Sequence, residues 1–410
     1  MQRWSLPARM KHHRIPGVAV AVIKNGEVVL TNGYGVLQSP SRQSVDKDTA
    51  FSVGSVSKVA TATAILALSE KEKIDIDADI QTYLKSWSVP PSEFRTKPIT
   101  LRMLLSHTSG LSVHGFEDYL PNEALPSALE VLRGHPPAKN EPVTLAFAPG
   151  SARQYSGGGV TVAQVLLTDA LGAPFADIVA DTLFVPLKMS RSTFESPLPA
   201  DHGNIAKAHD ENGSPAALPR GWESMPEQAA SGLWSSAEDL ATLVTALIES
   251  HRTTTGLLSR TVARDMMTEV EPSYNGLGPR MDRADGSVSF NHPGANDSYR
   301  AWIEGNLETG DGLVVLTNGT NGFALIIEIR NAVSDTFGWA NNRPIRLAAS
   351  VFSDGLLAAL KGRHISFASY PTALRKELYR LRAGSDLTAT ADGDTLTVAG
   401  SEGSLVFEVR

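Results

Sequence analysis

The chain has 410 residues, 42% hydrophobic and 20% charged, with a formal net charge of −7 and no cysteine. That length supports a large core and more than one lobe, within the composition range of globular proteins. The acidic balance, with no basic stripe, argues against a nucleic-acid partner, and the missing cysteines exclude thiol catalysis, disulfides and zinc–thiolate sites.

No apolar run approaches the length of a membrane span, so none is expected. The opening residues, MQRWSLPARMKHH, lack the apolar stretch of a secretory leader, which points to a cytoplasmic protein. Lys11-His12-His13-Arg14 is the compact basic cluster and reads as a solvated arm. Gly17 to Val22, then Asn25-Gly26, then Val28 to Leu30 read as a β-hairpin turning on Asn-Gly.

Ser55 and Lys58 stand at the head of a charge-free run from Val59 to Ser69. Three positions apart on a helix, they share one face, one turn from each other. The run is apolar almost all round, so the helix should be buried. Lys58 is then a lone cation at the edge of a core. Desolvation lowers its pKa and lets it take a proton from Ser55, a candidate nucleophile. S-x-x-K also arises by chance, as a capping serine followed by a solvated lysine.

Asp75, Asp77 and Asp79 alternate like the start of a calcium loop but lack its glycine and closing glutamate. They read as solvated residues around a helix start. Ile99 to Leu105 gives a short helix entering the polar loop Ser106 to Leu111, and residues 112–150 look loop-rich. Gln154-Tyr155-Ser156-Gly157-Gly158-Gly159 then precedes an apolar helix, Val160 to Leu171, closed by Gly172. A phenol near Lys58 is drawn toward its anion and can serve as base or proton shuttle. The alternative is a packed tyrosine before a glycine turn.

Pro197 to Pro226 is polar and rich in proline and glycine, a surface excursion. In Pro226 to Trp234, small residues flank Trp234, which lines a pocket wall or packs in the core. Ser236-Ala237-Glu238-Asp239 is a capping box for a helix reaching Ile248. Ser287 to Phe290, Tyr299 to Glu304 and Gly312 to Thr317 read as strands. Between the first two lies Asn291-His292-Pro293-Gly294-Ala295-Asn296. His292 donates a hydrogen bond or shares a proton, or is a plain turn histidine. Pro293 has no N–H, which implies an edge strand open to an extended substrate. Phe323 to Phe337 reads as a closing helix, and Leu387 to Val398 and Ser404 to Val409 alternate like strands.

Gly33-Tyr34-Gly35 lacks the third glycine of a dinucleotide loop, and no P-loop, G-x-S-x-G or H-E-x-x-H is present. No metal and no cofactor is therefore expected. Strands at both ends with helices between them give an α+β protein. One antiparallel sheet would join the N-terminal hairpin to the late strands, flanked by helices. A mostly helical lobe, about 75–285, would be inserted in a domain spanning 1–343. Residues 344–410 would form a small C-terminal β-rich appendage.

Taken in order, several segments resemble the serine β-lactamase and penicillin-binding-protein superfamily. They are Pro16 to Val20, Phe51 to Lys58, Leu104 to Leu111, Pro149-Gly150, Tyr155-Ser156-Gly157, Gly232-Leu233-Trp234, His292-Pro293-Gly294 and Leu316-Thr317-Asn318. The likeness covers about residues 15–340 and is to its class C β-lactamase-like esterases, amidases and D-peptidases, a β-lactamase/transpeptidase-like fold. The resemblance implies Ser55 as the acylated nucleophile, Lys58 as its proton acceptor and Tyr155 as the shuttle to the leaving group. His292 stands where many members carry the lysine of K-T-G. The backbone N–H groups of Ser55 and Ala295 would form the oxyanion hole. Gly157, Gly294 and Trp234 fall at substrate-binding positions.

Two departures shape the expected substrate. The family's Y-x-N ends in Gly157, which removes an amide that would hold an acylamino side chain. His292-Pro293 in place of Lys-Thr removes a fixed positive charge and a donor for a carboxylate. A neutral ester, amide or D-configured acyl substrate is therefore the expected fit. The resemblance implies a serine hydrolase working through an acyl-enzyme, ester hydrolysis first. D-peptidase or amidase activity, acyl transfer and peptide cyclisation share its intermediate. The rival from another class is a binding or sensor module that acylates without turning over. The expected partner is a small ester, amide or short peptide.

Overall fold

The chain is described here by a computed structural model covering residues 4–339, apart from 121, 219–223 and 285–286, and the strand segments 388–392, 395–400 and 403–408. Two compact units are present: Met1–Asp282 with Gly286–Gly338, and Arg283–Asp285 with Trp339–Arg410.

The first unit opens with α1 (Leu6–His13), β1 (Gly17–Lys24), β2 (Glu27–Gly35), β3 (Phe51–Ser52) and α2 (Ser57–Glu70). Short helices α3 (Leu101–Leu105) and α4 (Ala128–Arg133) precede α5 (Gly157–Leu171), α6 (Phe175–Val179), α7 (Val185–Leu187) and α8 (Gln228–Ser231). Then come β4 (Trp234–Ser235), α9 (Ala237–Arg252), α10 (Arg260–Met266), β5 (Arg280–Ala284), β6 (Ser287–Ala295), β7 (Arg300–Asn306), β8 (Gly312–Thr317) and α11 (Gly322–Phe337).

Six strands form one sheet in the order β2-β1-β8-β7-β6-β5. β1 pairs antiparallel with β2 (Ala21↔Thr31) and with β8 (Val20↔Val315), so the first hairpin closes on the last strand. Its run of Val, Ala and Ile is buried from Gly17 to Ile23, as a strand covered on both faces requires. α9 packs on β1, β2, β7 and β8, while α11 packs on β7, β8 and α1. This is the α+β arrangement of an antiparallel sheet flanked by helices.

Helix α2 is buried from Ser57 to Leu68, which explains an apolar run with no polar face. It packs against α8 and α10, and α5 packs against α3, α4, α6 and α8. Helix α5 begins at Gly157 because Ser156 caps it, its Oγ accepting from the Gly159 N–H at 2.8 Å.

Several expectations are corrected. β6 runs on through His292 and Pro293 and lies between β7 and β5 in the sheet order. β5 has five residues against nine in β6, so it can cover only part of that strand. Ser236 caps α9, but Asp239 does not return the bond. Its carboxylate accepts from the Arg191 N–H and the Ser192 hydroxyl, both at 2.8 Å. Lys11 to His13 are the last turn of α1 rather than a loose arm, and Arg9 and His13 both bind Glu328 of α11. Asp77 is not merely solvated: it binds Arg102 at 2.6 and 2.9 Å. Asp79 caps a 3₁₀ turn, Ile80–Thr82.

The second unit contains β9 (Thr388–Asp392), β10 (Thr395–Gly400) and β11 (Gly403–Glu408). They form an antiparallel sheet with β10 in the middle, Thr397 facing Thr390 and Val406. Residues 344–387, 393–394, 401–402 and 409–410 of the expected appendage lie outside the described residues. Among the described residues no single helix is long and apolar enough to cross a membrane.

Candidate active site

Ser55 sits in a 3₁₀ turn, Gly54–Val56, between β3 and α2. Two glycines let the end of β6 press against that turn. Gly54 has φ of 50°, and a Cβ there would stand 2.7 Å from the Ala295 nitrogen and oxygen. A Cβ on Gly294 would stand 1.9 Å from the Val53 carbonyl oxygen. The Ser55 turn and Ala295 are therefore side by side. Ser57 fixes the turn: its Oγ donates to the Gly54 carbonyl (2.5 Å) and accepts from the Leu233 N–H (2.9 Å).

Lys58, one turn into the helix, is 2% exposed. Its Nζ donates to Ser55 Oγ at 3.2 Å and to the Ala230 carbonyl at 2.7 Å, and lies 4.9 Å from the Tyr155 ring centroid. Thr61 Oγ1 donates to the Ala229 carbonyl at 2.9 Å, tying α8 to α2 beside that ammonium. The Tyr155 phenol is hydrogen-bonded to both Lys58 and Ser55. Burial pushes that phenol up. The Lys58 charge, these two hydrogen bonds and the Arg280 charge outweigh burial and hold it below the ordinary phenol range.

His292 is fully buried, with Nδ1 2.6 Å from the Pro293 carbonyl and its ring 6.3 Å from that of Tyr155. A carbonyl only accepts, so Nδ1 carries the hydrogen and Nε2 presents a lone pair. Nε2 is buried with no partner among the described residues. Burial first, then the charges of Arg280 and Lys58, hold the imidazole well below its usual range. His292 is thus neutral, donating through Nδ1 to the Pro293 carbonyl and presenting Nε2 as an acceptor.

Gly157 leaves no room for a side chain: a Cβ would meet Phe116 Cε2 at 2.8 Å and the His114 carbonyl oxygen at 3.1 Å. Trp234 is 4% exposed, pairs through β4 with Ser52 and stacks edge-on against Tyr299 at 5.6 Å. It is a core residue rather than a pocket wall. The order Ser55, Lys58, Tyr155, His292, Gly294, Ala295 holds as one cluster; Trp234 stands behind it.

Sequence reasoning gave no role to three further groups. His107 is buried against Tyr155, with ring centroids 4.4 Å apart. Arg280 sends its charge to Tyr155, His292 and His107, and its Nε is buried with no hydrogen-bond partner among the described residues. Glu227 precedes α8, its carbonyl accepting from the Ala230 and Ser231 N–H groups at 3.0 and 2.9 Å. Its side chain is fully buried, and neither carboxyl oxygen has a hydrogen-bond partner among the described residues. Burial pushes it up to about 8, against its own backbone N–H and the Lys139 charge.

Glu227 makes stability depend on pH. Between its ordinary 4.5 and about 8 the unfolded chain releases the proton and the folded chain keeps it, so stability falls as pH rises through that window. Glu227→Gln removes the loss. The Tm of the variant minus that of the wild type should widen from pH 4.5 to 8 and stay flat outside that range. The full effect is on the order of a few kcal/mol. A difference independent of pH would refute the assignment.

A separate concavity of about 440 Å³, lined by His12, His13, Arg14, Thr320, Asn321, Phe323 and Ala324, contains no member of the cluster. Among the described residues no three His, Asp or Glu side chains are placed to hold a metal ion.

This sheet, with a Ser–Lys–Tyr cluster at the head of α2, has the β-lactamase/transpeptidase fold shared by similar solved structures. The chain belongs to the Beta-lactamase family, whose model matches residues 6–333. It is 21% identical over 312 residues to Protein flp of Staphylococcus aureus (strain MRSA252), covering 74% of this chain. It spans 60% of that relative's length. It is 25% identical over 288 residues to Esterase EstB of Burkholderia gladioli, covering 62% of this chain and 70% of that protein. The D-amino acid amidase of Ochrobactrum anthropi SV3 superposes with a TM-score of 0.64 at 19% identity, over 81% of this chain and 98% of the amidase.

Proposed function

We propose that this protein is a serine hydrolase that works through a covalent acyl-enzyme on a carboxylic ester or amide. One observation carries the reading: the Ser55 hydroxyl lies 3.2 Å from a buried ammonium, with a phenol of depressed pKa bonded to both. Tyr155, drawn toward its anion by the Lys58 ammonium, takes the Ser55 proton as Oγ attacks the substrate carbonyl carbon. The tetrahedral oxyanion lies against the N–H groups of Ser55 and Ala295, charge that develops only in the transition state. Collapse breaks the carbonyl's bond to the leaving oxygen or nitrogen, which receives the proton through Tyr155. Once the leaving group carries that proton, its O–H or N–H donates to His292 Nε2. Water then adds to the acyl carbonyl as Tyr155 takes its proton; the bond to Ser55 Oγ breaks, Tyr155 returns the proton to that oxygen, and the acid leaves.

Ester hydrolysis is the first reading, in keeping with a relative named as an esterase. Arg280 favours a second. A neutral substrate is expected from Gly157 and His292-Pro293, yet the positive charge of Arg280 acts on both Tyr155 and His292. That charge suits a substrate carrying a carboxylate, such as a short peptide or D-aminoacyl compound.

A fluorophosphonate probe tests the chemistry. Peptide mapping should place the label on Ser55, and Ser55→Ala should take up none; equal labelling of the variant refutes the reading. Steady release of p-nitrophenol from p-nitrophenyl acetate is expected, and a burst with no turnover would favour the non-hydrolysing rival. A peptide with a free C-terminal carboxylate, set against its methyl ester in the same assay, separates the two substrate readings.

A further inference from the structure

We propose that His107 is a positioning residue for Tyr155, clamping the chain on both sides of it and backing its ring. The inference rests on the reading of Tyr155 given above. His107 closes a short helical segment: α3 ends at Leu105, and His107 takes φ of 61°, a left-handed conformation uncommon for a non-glycine residue. That strained backbone points two acceptors at one target. The His107 carbonyl accepts the Gln154 N–H at 2.9 Å, and its Nδ1 accepts the Ser156 N–H at 3.3 Å. The residues before and after Tyr155 are thus held by one side chain and its own backbone. Between them the imidazole lies against the phenol ring, centroids 4.4 Å apart and planes tilted by 41°.

The ring is held in one chemical form. Because Nδ1 accepts, the hydrogen is on Nε2, which is buried with no partner among the described residues. Burial, with the charges of Arg153 and Lys58, keeps the imidazole well below its usual range, so it stays a neutral acceptor. A protonated His107 would lose its bond to Ser156 and place a second cation beside Tyr155. The other charged and titratable groups facing Tyr155 are Lys58 from α2, His292 from β6, Arg280 from β5, and His114 and Arg153 from the flanking loops.

Two variants separate the clamp from the ring. His107→Asn keeps a residue tolerant of left-handed backbone and an acceptor for Ser156, but removes the ring. His107→Ala removes both. Rates are measured per Ser55 site titrated by fluorophosphonate, so a misfolded fraction does not count. A phenol freed from its position loses its contacts with Lys58 and Ser55, and its pKa rises. The acid limb of kcat/KM should therefore move to higher pH in both variants. The acylation rate should fall about 10- to 100-fold, more in the alanine than in the asparagine variant, with KM little changed. A purely structural role would lower the number of titratable sites and leave the limb in place, which would overturn the proposal. Tyr155→Phe is run beside them. If it retains wild-type acylation, the reading of Tyr155 fails and this inference with it. If it is inactive while both His107 variants match the wild type, only this inference fails.

Discussion

Replacing Lys58 with methionine should slow acylation by p-nitrophenyl acetate about 10²- to 10⁴-fold. Methionine matches the length of the lysine stem, so the packing of α2 against α8 is largely kept. What disappears is one ammonium with three hydrogen-bonded partners, Ser55 Oγ, the Ala230 carbonyl and the Tyr155 phenol. Losing its donor leaves the Ala230 carbonyl unsatisfied in a buried position, at a stability cost of about 1–3 kcal/mol. The chemical loss is larger. Without the Lys58 charge, burial dominates at Tyr155 and its pKa rises, so the acid limb of the pH profile should shift upward as well as the rate falling. Stopped-flow acylation across pH, with a thermal melt of the same sample, reads both effects. A folded variant acylating at more than half the wild-type rate would remove Lys58 from the mechanism.

The pair Ser55–Lys58 was legible in the sequence because helical periodicity alone puts residues three apart on one face. The strands were legible because buried runs such as Gly17 to Ile23 and Gly312 to Thr317 carry continuous apolar character. Chemistry that depends on contacts distant in sequence was not. His107 and Ser156 are 49 residues apart, and a lone histidine before Thr108-Ser109-Gly110 shows nothing of that bond. The role of His292 turns on which ring nitrogen faces the Pro293 carbonyl, a torsion angle that no pattern encodes. Trp234 among small residues fits a pocket wall or a core equally well, and only its contact with Tyr299 decides. Glu227 opens a segment with no recognisable motif, yet its solvation differs more from that of a surface carboxylate than a charge pattern can reveal. Asp239 in a capping-box position turned outward because Arg191 and Ser192 offered it stronger partners from a distant loop.

Gly294→Ala should cost as much activity as removing an oxyanion donor, about 10²- to 10³-fold in kcat. The added Cβ would lie 1.9 Å from the Val53 carbonyl oxygen and 3.2 Å from Ala301 Cβ. The first contact is with backbone, which cannot rotate away, so β6 must withdraw from the Ser55 turn. Ala295 follows Gly294 directly and moves with it, while Ser55 stays fixed by Ser57 and Leu233. The two N–H groups then no longer converge on one oxygen. Overpacking at a buried strand also lowers stability by about 1–3 kcal/mol. The two losses separate by measurement. A strand displaced from the nucleophile lowers kcat while KM for a small ester hardly changes, because such a substrate gains little binding energy from that strand. Labelling of Ser55 by fluorophosphonate should slow in parallel, since that probe also develops charge on an oxygen at the same place. If Gly294→Ala loses stability yet labels and turns over at the wild-type rate, the N–H of Ala295 has no part in holding the oxyanion, and the second donor must be sought elsewhere around the Ser55 turn.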